Sequence, residues 1–219
     1  MIEGKPMVEH VYERVAASGL FADVVVATDD ERIFKAVNGF GGKAMMTLSS
    51  HRTGTERCFE VMEKLGVGYD ALVNIQGDEP RIDTTQLQQV LWGLEQGADI
   101  ATLRKAIAKE EELFSENVVK VVCDSKGRVL YFSRQPIPFV RGCRKEEWMQ
   151  KHTFYKHIGV YAFRTDVVDA LKGLRPSELE AAESLEQLRW IENGYEILAV
   201  ETQVENAAVD TPEDLLKFK

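Results

Sequence analysis

The segment Ala71-Leu72-Val73-Asn74-Ile75-Gln76-Gly77-Asp78-Glu79-Pro80 runs an apolar strand into a turn that carries two adjacent carboxylates. In open α/β sheets, ligands lie outside the carboxyl ends of the strands, so Asp78 and Glu79 stand where a metal ion and a phosphate chain would bind. Mg2+ suits such a place, because it takes one or two protein carboxylates and leaves its other positions to phosphate and water. Gly77 and Pro80 are equally the residues of an ordinary polar turn. A second carboxylate, Asp210, lies in Val209-Asp210-Thr211-Pro212-Glu213-Asp214, between a strand end and a helix start. Alone it reads as a helix cap. Paired with Asp78 it would complete a Mg2+ site from two strand termini far apart in sequence, a usual arrangement in phosphoryl-type transfer.

Ser49-Ser50-His51-Arg52-Thr53-Gly54-Thr55-Glu56-Arg57 places hydroxyls, a glycine and two arginines at the entry to a helix. Backbone N–H groups at a helix start favour anions, and arginine clamps phosphate or reads a base edge; a solvated capping loop has the same composition. The Gly-Lys-Thr core of a Walker loop is absent. His157 opens an apolar strand with Tyr161 four residues on, so the two rings share a face and can line one pocket, or simply pack in the core. Glu186 and Gln187 are adjacent on a helix. Arg134 and Arg141, flanking Pro136-Ile137-Pro138, would suit a sugar-acid carboxylate or serve as surface charges.

The elements that must position these residues alternate over the first half of the chain. Helical periodicity over Pro6–Ala17 is followed by a strand at Val24–Asp29, a helix over Asp30–Asn38 and a short strand over Ala44–Leu48. A helix from Thr55 to Leu65, with Cys58, Phe59, Met62 and Leu65 on one face, precedes the Ala71 strand, and a helix over Thr84–Gln96 follows it. Such alternation predicts a mostly parallel sheet covered by helices on both faces. After Asp99 the pattern changes. Val118–Cys123 and Arg128–Ser133 flank Asp124-Ser125-Lys126-Gly127 as a hairpin, and His157–Phe163 is a further strand, so a mixed sheet is expected. Residues 139–153 break the periodicity and read as an irregular excursion from a single domain spanning 1–219. Pro176-Ser177-Glu178 starts a helix through Leu185, Leu188 and Ile191 to Asn193-Gly194, and a strand follows at Ile197–Glu201.

The net charge of -9 disfavours unspecific nucleic-acid binding, and no stretch approaches the length of a membrane span. Three separated cysteines, Cys58, Cys123 and Cys143, give neither a disulfide framework nor a metal spacing, which points to a reducing cytoplasm. The amino terminus has no apolar signal core.

Taken in order, Thr53-Gly54-Thr55-Glu56-Arg57, Asn74-Ile75-Gln76-Gly77-Asp78-Glu79-Pro80, Leu130-Tyr131-Phe132-Ser133-Arg134, His157-Ile158-Gly159-Val160-Tyr161, Leu185-Glu186-Gln187-Leu188-Arg189 and Val209-Asp210-Thr211-Pro212-Glu213-Asp214 resemble the CMP-Kdo synthetases, the 3-deoxy-manno-octulosonate cytidylyltransferases. The resemblance covers essentially the whole chain. It implies a Rossmann-like nucleotide-diphospho-sugar transferase fold and a cytoplasmic homodimer that joins CTP to the sugar acid Kdo for lipopolysaccharide synthesis, releasing pyrophosphate. By the same resemblance Asp78 and Asp210 are the catalytic residues and hold Mg2+, while Gly54, Thr55, Arg57 and Gln76 hold the nucleotide. Gln76, Arg134, Arg141, His157, Tyr161, Glu186 and Gln187 would then position the sugar. Two alternatives stay open: a cytidylyltransferase for another sugar acid, of the sialic acid type, and a non-catalytic nucleotide-sugar-binding protein. The family also begins with a strand and a basic loop of the type Ala-Arg-x-x-Ser-x-Arg-x-x-x-Lys-Pro-Leu. Met1-Ile2-Glu3-Gly4-Lys5-Pro6-Met7 matches the segment after that loop, so the sequence is expected to be incomplete at its amino end and weak or inactive on its own.

Overall fold

A computed structural model describes residues 1–66 and 68–204, so the expected helix behind Asp210 lies outside the described residues. The chain divides into two compact units, one formed by Met1–Gln88 and one that starts at Gln89.

In the first unit, α1 (Met7–Ala17) buries Val11 and Val15, four residues apart and therefore on one helical face. The strands β1 (Val26–Thr28) and β2 (Ala44–Met46) are shorter than their apolar runs and pair in parallel, Val26 opposite Ala44 and Thr28 opposite Met46. Parallel strands need a crossover, which α2 (Glu31–Gly39) supplies. It begins where the Asp30 carboxylate accepts the Arg32 backbone N–H at 2.7 Å, satisfying one of the donors a helix start leaves open. Thr53 caps α3 (Gly54–Leu65) in the same way, its hydroxyl accepting from the Glu56 N–H at 3.2 Å. Phe59 and Val61 are buried on α3, with Cys58, Met62 and Leu65 half-buried beside them. β3 (Ala71–Asn74) ends three residues short of Gly77.

The helix α4 (Thr84–Glu95) carries the chain into the second unit. There β4 (Ile100–Ala106) is the strand at which the two kinds of pairing meet. Sequence periodicity passes over it, although Ile100, Ala101, Thr102 and Leu103 are all fully buried. α5 (Glu110–Phe114) leads to the hairpin of β5 (Lys120–Cys123) and β6 (Val129–Ser133), which turns at Gly127 with φ +85°. A short turn of 3-10 helix at Lys145–Glu147 and α6 (Trp148–Lys151) follow, so residues 139–153 are partly ordered into helix. Trp148 is buried there, in a small cluster with Ile107, Leu113 and Phe154. β7 (Tyr155–Arg164) and α7 (Thr165–Lys172) come next. The single helix expected from Ser177 to Asn193 is two: α8 (Glu178–Glu183) and α9 (Gln187–Glu192). Ser184 separates them in a left-handed conformation, φ +53°, that a continuous helix does not contain. β8 (Ile197–Glu201) closes the described chain at its predicted bounds.

The strands of this unit run β6-β5-β7-β4-β8. β7 lies antiparallel to β4 and β5, β5 antiparallel to β6, and β8 parallel to β4, so the sheet is mixed as expected. α4 packs on it through Gly93. A Cβ at that position would meet Ala101 Cβ at 2.7 Å and Val200 Cγ2 at 3.2 Å, so only glycine lets the helix approach so closely.

Candidate active site

In the first unit the carboxyl ends of three strands converge on the first turns of α3. Asn74, the last residue of β3, donates its amide to the Thr55 hydroxyl at 3.1 Å, while the Cys58 thiol reaches the Asn74 Oδ1 at 3.5 Å. Arg57, one turn along, forms an ion pair at 3.3 Å with Asp29, just beyond β1. It also donates to the Thr47 hydroxyl at 2.6 Å and the Leu48 carbonyl at 3.3 Å, both just beyond β2. Arg57 is thus a strut between strand ends as well as a positive charge beside them. Thr55 is 2 % exposed, and its hydroxyl is turned toward Asn74. Gly54, the first residue of α3, is exposed, and a Cβ there would come no closer than 3.9 Å to Asn74. A small residue is therefore not required by packing at Gly54.

The loop before α3 is held by Glu60, whose carboxylate takes the Leu48 N–H at 2.9 Å, the Lys64 ammonium at 2.7 Å and the His51 ring. These partners, Lys64 first, lower the Glu60 pKa to about 2. After β3, Gln76 and Gly77 are exposed, Asp78 is half-buried with its Oδ1 shielded from solvent, and Glu79 is buried. A weak turn bond from the Glu79 N–H to the Gln76 carbonyl, 3.4 Å, closes this loop. The strand-end placement expected for Asp78 is the one observed.

Among the described residues no group of three or more His, Cys, Asp or Glu surrounds one point. A metal would therefore find few protein ligands, which Mg2+ tolerates when phosphate and water complete its shell. Asp78 fits as one such ligand; Asp210 lies outside the described residues.

The second unit carries the remaining candidates. His157 and Tyr161 do share a face, with ring centroids 5.1 Å apart, although the pairing of β4 with β7 shifts between Thr102 and Leu103. The irregularity lets the Thr102 hydroxyl reach His157 Nε2 at 2.8 Å and the Val160 carbonyl at 2.8 Å. With the single hydroxyl proton assigned to the Val160 carbonyl, which can only accept, Nε2–H of the ring is the donor to Thr102. Neutral His157 then presents Nδ1 as an acceptor. Burial, including the edge of Phe132 at 5.1 Å, lowers its pKa to about 3, so the ring is neutral at physiological pH.

Tyr161 packs against the edge of Trp190 at 5.3 Å, and its buried hydroxyl has no hydrogen-bond partner among the described residues. Burial and the nearby Glu186 push the phenol well above its ordinary value, so it stays protonated as a donor. Glu186 stands at the start of α9 half-buried, and Gln187 is 5 % exposed. Arg189, which sequence reasoning gave no role, is buried between Glu180 at 3.3 Å and Glu186 at 4.0 Å and holds α9 to α8.

The two arginines differ. Arg141 is exposed in the 139–153 segment. Arg134 is anchored: its Nε donates to the Glu183 carbonyl at 2.7 Å, Nη1 to that of Glu116 at 3.0 Å and Nη2 to that of Ser184 at 3.2 Å. Arginine has more N–H groups than these three, so Arg134 keeps donors for a ligand in a fixed orientation.

Comparison with known proteins gives these positions a family. A cytidylyltransferase family model matches residues 1–197. The 3-deoxy-manno-octulosonate cytidylyltransferase of Cytophaga hutchinsonii is 47% identical over 217 residues, which is 99% of this chain and 87% of that protein. The enzyme of the same name from Phocaeicola vulgatus is 50% identical over 221 residues, with the same two coverages. A structure of CMP:2-keto-3-deoxy-manno-octonic acid synthetase complexed with CTP aligns with a TM-score of 0.90 and 43% identity, over 99% of this chain and 87% of that one. A 4-diphosphocytidyl-2C-methyl-D-erythritol synthase from Anaerococcus prevotii, 15% identical over 99% of this chain and 89% of that one, shares the fold alone at a TM-score of 0.61. Its near full-length identity to these enzymes places the chain in the cytidylyltransferase family, among the 3-deoxy-manno-octulosonate cytidylyltransferases.

Proposed function

We propose that the protein transfers CMP from CTP to Kdo, using Mg2+, and releases pyrophosphate. The near full-length likeness to a Kdo-activating synthetase seen with CTP carries this assignment. In the reaction, the anomeric hydroxyl oxygen of Kdo forms a bond to the α-phosphorus of CTP. The bond from that phosphorus to the bridging oxygen breaks, pyrophosphate leaves with the electron pair, and the hydroxyl proton passes to solvent water. Held by Asp78 and Asp210, Mg2+ would supply positive charge at the α-phosphate and the leaving group.

The rest is positioning, since no covalent intermediate has to be built. Gln76 and Arg57, with Gly54 and Thr55 at the α3 start, form the nucleotide side, where helix N–H groups and the guanidinium favour phosphate. Arg134 and Arg141 face the sugar carboxylate. Neutral His157 accepts from a sugar hydroxyl through Nδ1, and Tyr161, Glu186 and Gln187 bind the others. His157 supports this role because a ring with a pKa of about 3 does not itself carry the hydroxyl proton away as a base near neutral pH. A homodimer, a cytoplasmic location and a place in lipopolysaccharide synthesis belong to the same proposal, and sedimentation tests the first.

Pyrophosphate release with CTP and Mg2+ is the deciding measurement. It is made on the 219-residue chain and on the same chain preceded by the family's amino-terminal strand and basic loop. Release with Kdo and not with neuraminate is expected. Release with neuraminate alone, or with neither sugar in both forms, refutes the assignment.

A further inference from the structure

Lys120 is the one lysine among the described residues with no exposed surface at all. Its ammonium donates to the carbonyls of Ser115 at 2.8 Å, Val118 at 2.6 Å and Arg134. Those bonds use every N–H a lysine has. Desolvation lowers its pKa, opposed by the charge of Glu183. Glu183 is the other pole of the same arrangement. Its Oε1 accepts from the Ser133 hydroxyl at 2.6 Å and its Oε2 from the Arg134 backbone N–H at 2.8 Å, while its own carbonyl takes Arg134 Nε.

Three segments separated in sequence are joined in this way: the loop after α5 with the start of β5, the end of β6, and the joint between α8 and α9. The joint is Ser184, whose left-handed backbone turns the chain so that Leu185, Glu186 and Gln187 follow directly. A buried charge costs free energy that an apolar side chain of similar size avoids, so core packing alone does not account for Lys120. What the charge does here is fix three carbonyls, one of them on Arg134.

We propose that Lys120 and Glu183 are positioning residues for the sugar acid: they set the orientation of the Arg134 guanidinium and the joint that carries Glu186 and Gln187, without touching the ligand. This rests on the Kdo-transferring function above. Neither residue carries a motif that sequence reasoning singled out: Glu183 acts through Arg134, 49 positions away, and Lys120 through the same residue, 14 positions away.

The test is steady-state pyrophosphate release, with CTP and Kdo varied in turn, in the form of the protein that turns over. No release with Kdo from the unaltered protein overturns the proposed function and this inference with it. Given release, Glu183→Ala and Lys120→Met are expected to raise the KM for Kdo by about 10-fold or more while the KM for CTP stays within about 3-fold, the effect of losing a charge-assisted hydrogen bond on one substrate's side. Glu183→Gln is expected to restore most of the loss, since its amide oxygen can accept from the Arg134 N–H while its NH2 donates to Ser133. A general loss of structure would not be rescued and would not separate the two substrates. An unchanged KM for Kdo, or an equal rise in both, overturns the inference. Should Glu183→Ala and Lys120→Met fail to fold, Ser133→Ala, which removes a single bond to the carboxylate, decides: a rise of about 3-fold in the KM for Kdo supports the inference and no rise overturns it.

Discussion

Acidification should destabilise this protein through His157 before its carboxylates titrate. The imidazole is enclosed by Phe132, Tyr161 and Thr102, and its pKa falls from 6.5 to about 3 because the charged ring would lose its water. In the unfolded chain the ring protonates at the ordinary value; in the folded chain it does not. The unfolded state therefore binds the extra proton, and stability is lost as pH falls from about 6.5 toward 3. Between about pH 7 and pH 5 the unfolded ring becomes almost fully charged, which amounts to about 2 kcal/mol. Urea unfolding at both pH values, for the unaltered protein and for His157→Gln, isolates this contribution, because glutamine keeps a donor for Thr102 and does not titrate. The unaltered protein is expected to lose about 2 kcal/mol more than the variant over that interval. A difference under about 0.5 kcal/mol, or His157 ring resonances that shift with a midpoint near 6, would refute the burial argument, and with it the neutral Nδ1 acceptor.

Three further outcomes follow from the geometry. Gly93→Ala forces a methyl group against Ala101, and thermal unfolding should show a loss of about 1–3 kcal/mol, whereas an unchanged midpoint would mean that α4 is free to lift from the sheet. Thr53→Ala removes the hydroxyl that caps α3 and should cost about 1 kcal/mol in the same assay, with Thr53→Ser nearly neutral. Asp78→Asn should lower kcat for pyrophosphate release by about 100-fold or more without a matching loss of stability, and near-normal turnover would remove Asp78 from the metal site.

Elements with a clean periodic signal and a chemical stop were legible in the sequence. Asp30 announced α2, the loop with Gly54 announced the entry to α3, and the apolar run that follows the Asn193-Gly194 stop gave β8 its bounds at Ile197–Glu201. β4 was missed because its buried half, Ile100 to Leu103, is a short apolar run with no alternation, and Arg104-Lys105 immediately follow it. Partners on both sides bury such a strand wherever its side chains point, so periodicity has nothing to report. The split between α8 and α9 was invisible for another reason: Leu185, Leu188 and Ile191 keep the helical spacing, and serine at 184 carries no stop signal. The left-handed turn there is held by Glu183 and Arg134, contacts from a distant part of the chain. Similarly, the identities of the candidate ligand-binding residues could be read from ordered motifs, but which of their donors are already taken could not.

That distinction changes what substitutions at the candidate site should do. Arg57 is tied to Asp29 and Thr47, Thr55 to Asn74, and Arg134 to three carbonyls. Removing one of these side chains leaves buried or half-buried partners unmatched, so stability and ligand binding should fall together. Arg141, the Nδ1 of His157 and the Tyr161 hydroxyl are in the opposite position, since among the described residues little or none of their hydrogen-bonding capacity is spent. For Tyr161 the contrast can be made quantitative. Tyr161→Phe removes a buried hydroxyl that has no partner among the described residues while keeping the ring against Trp190. Folding should therefore be unaffected or slightly favoured, because the cost of burying an unsatisfied polar atom disappears. If the hydroxyl donates to the sugar, the KM for Kdo should rise by about 10-fold, and if it does not, binding and stability should move together or not at all.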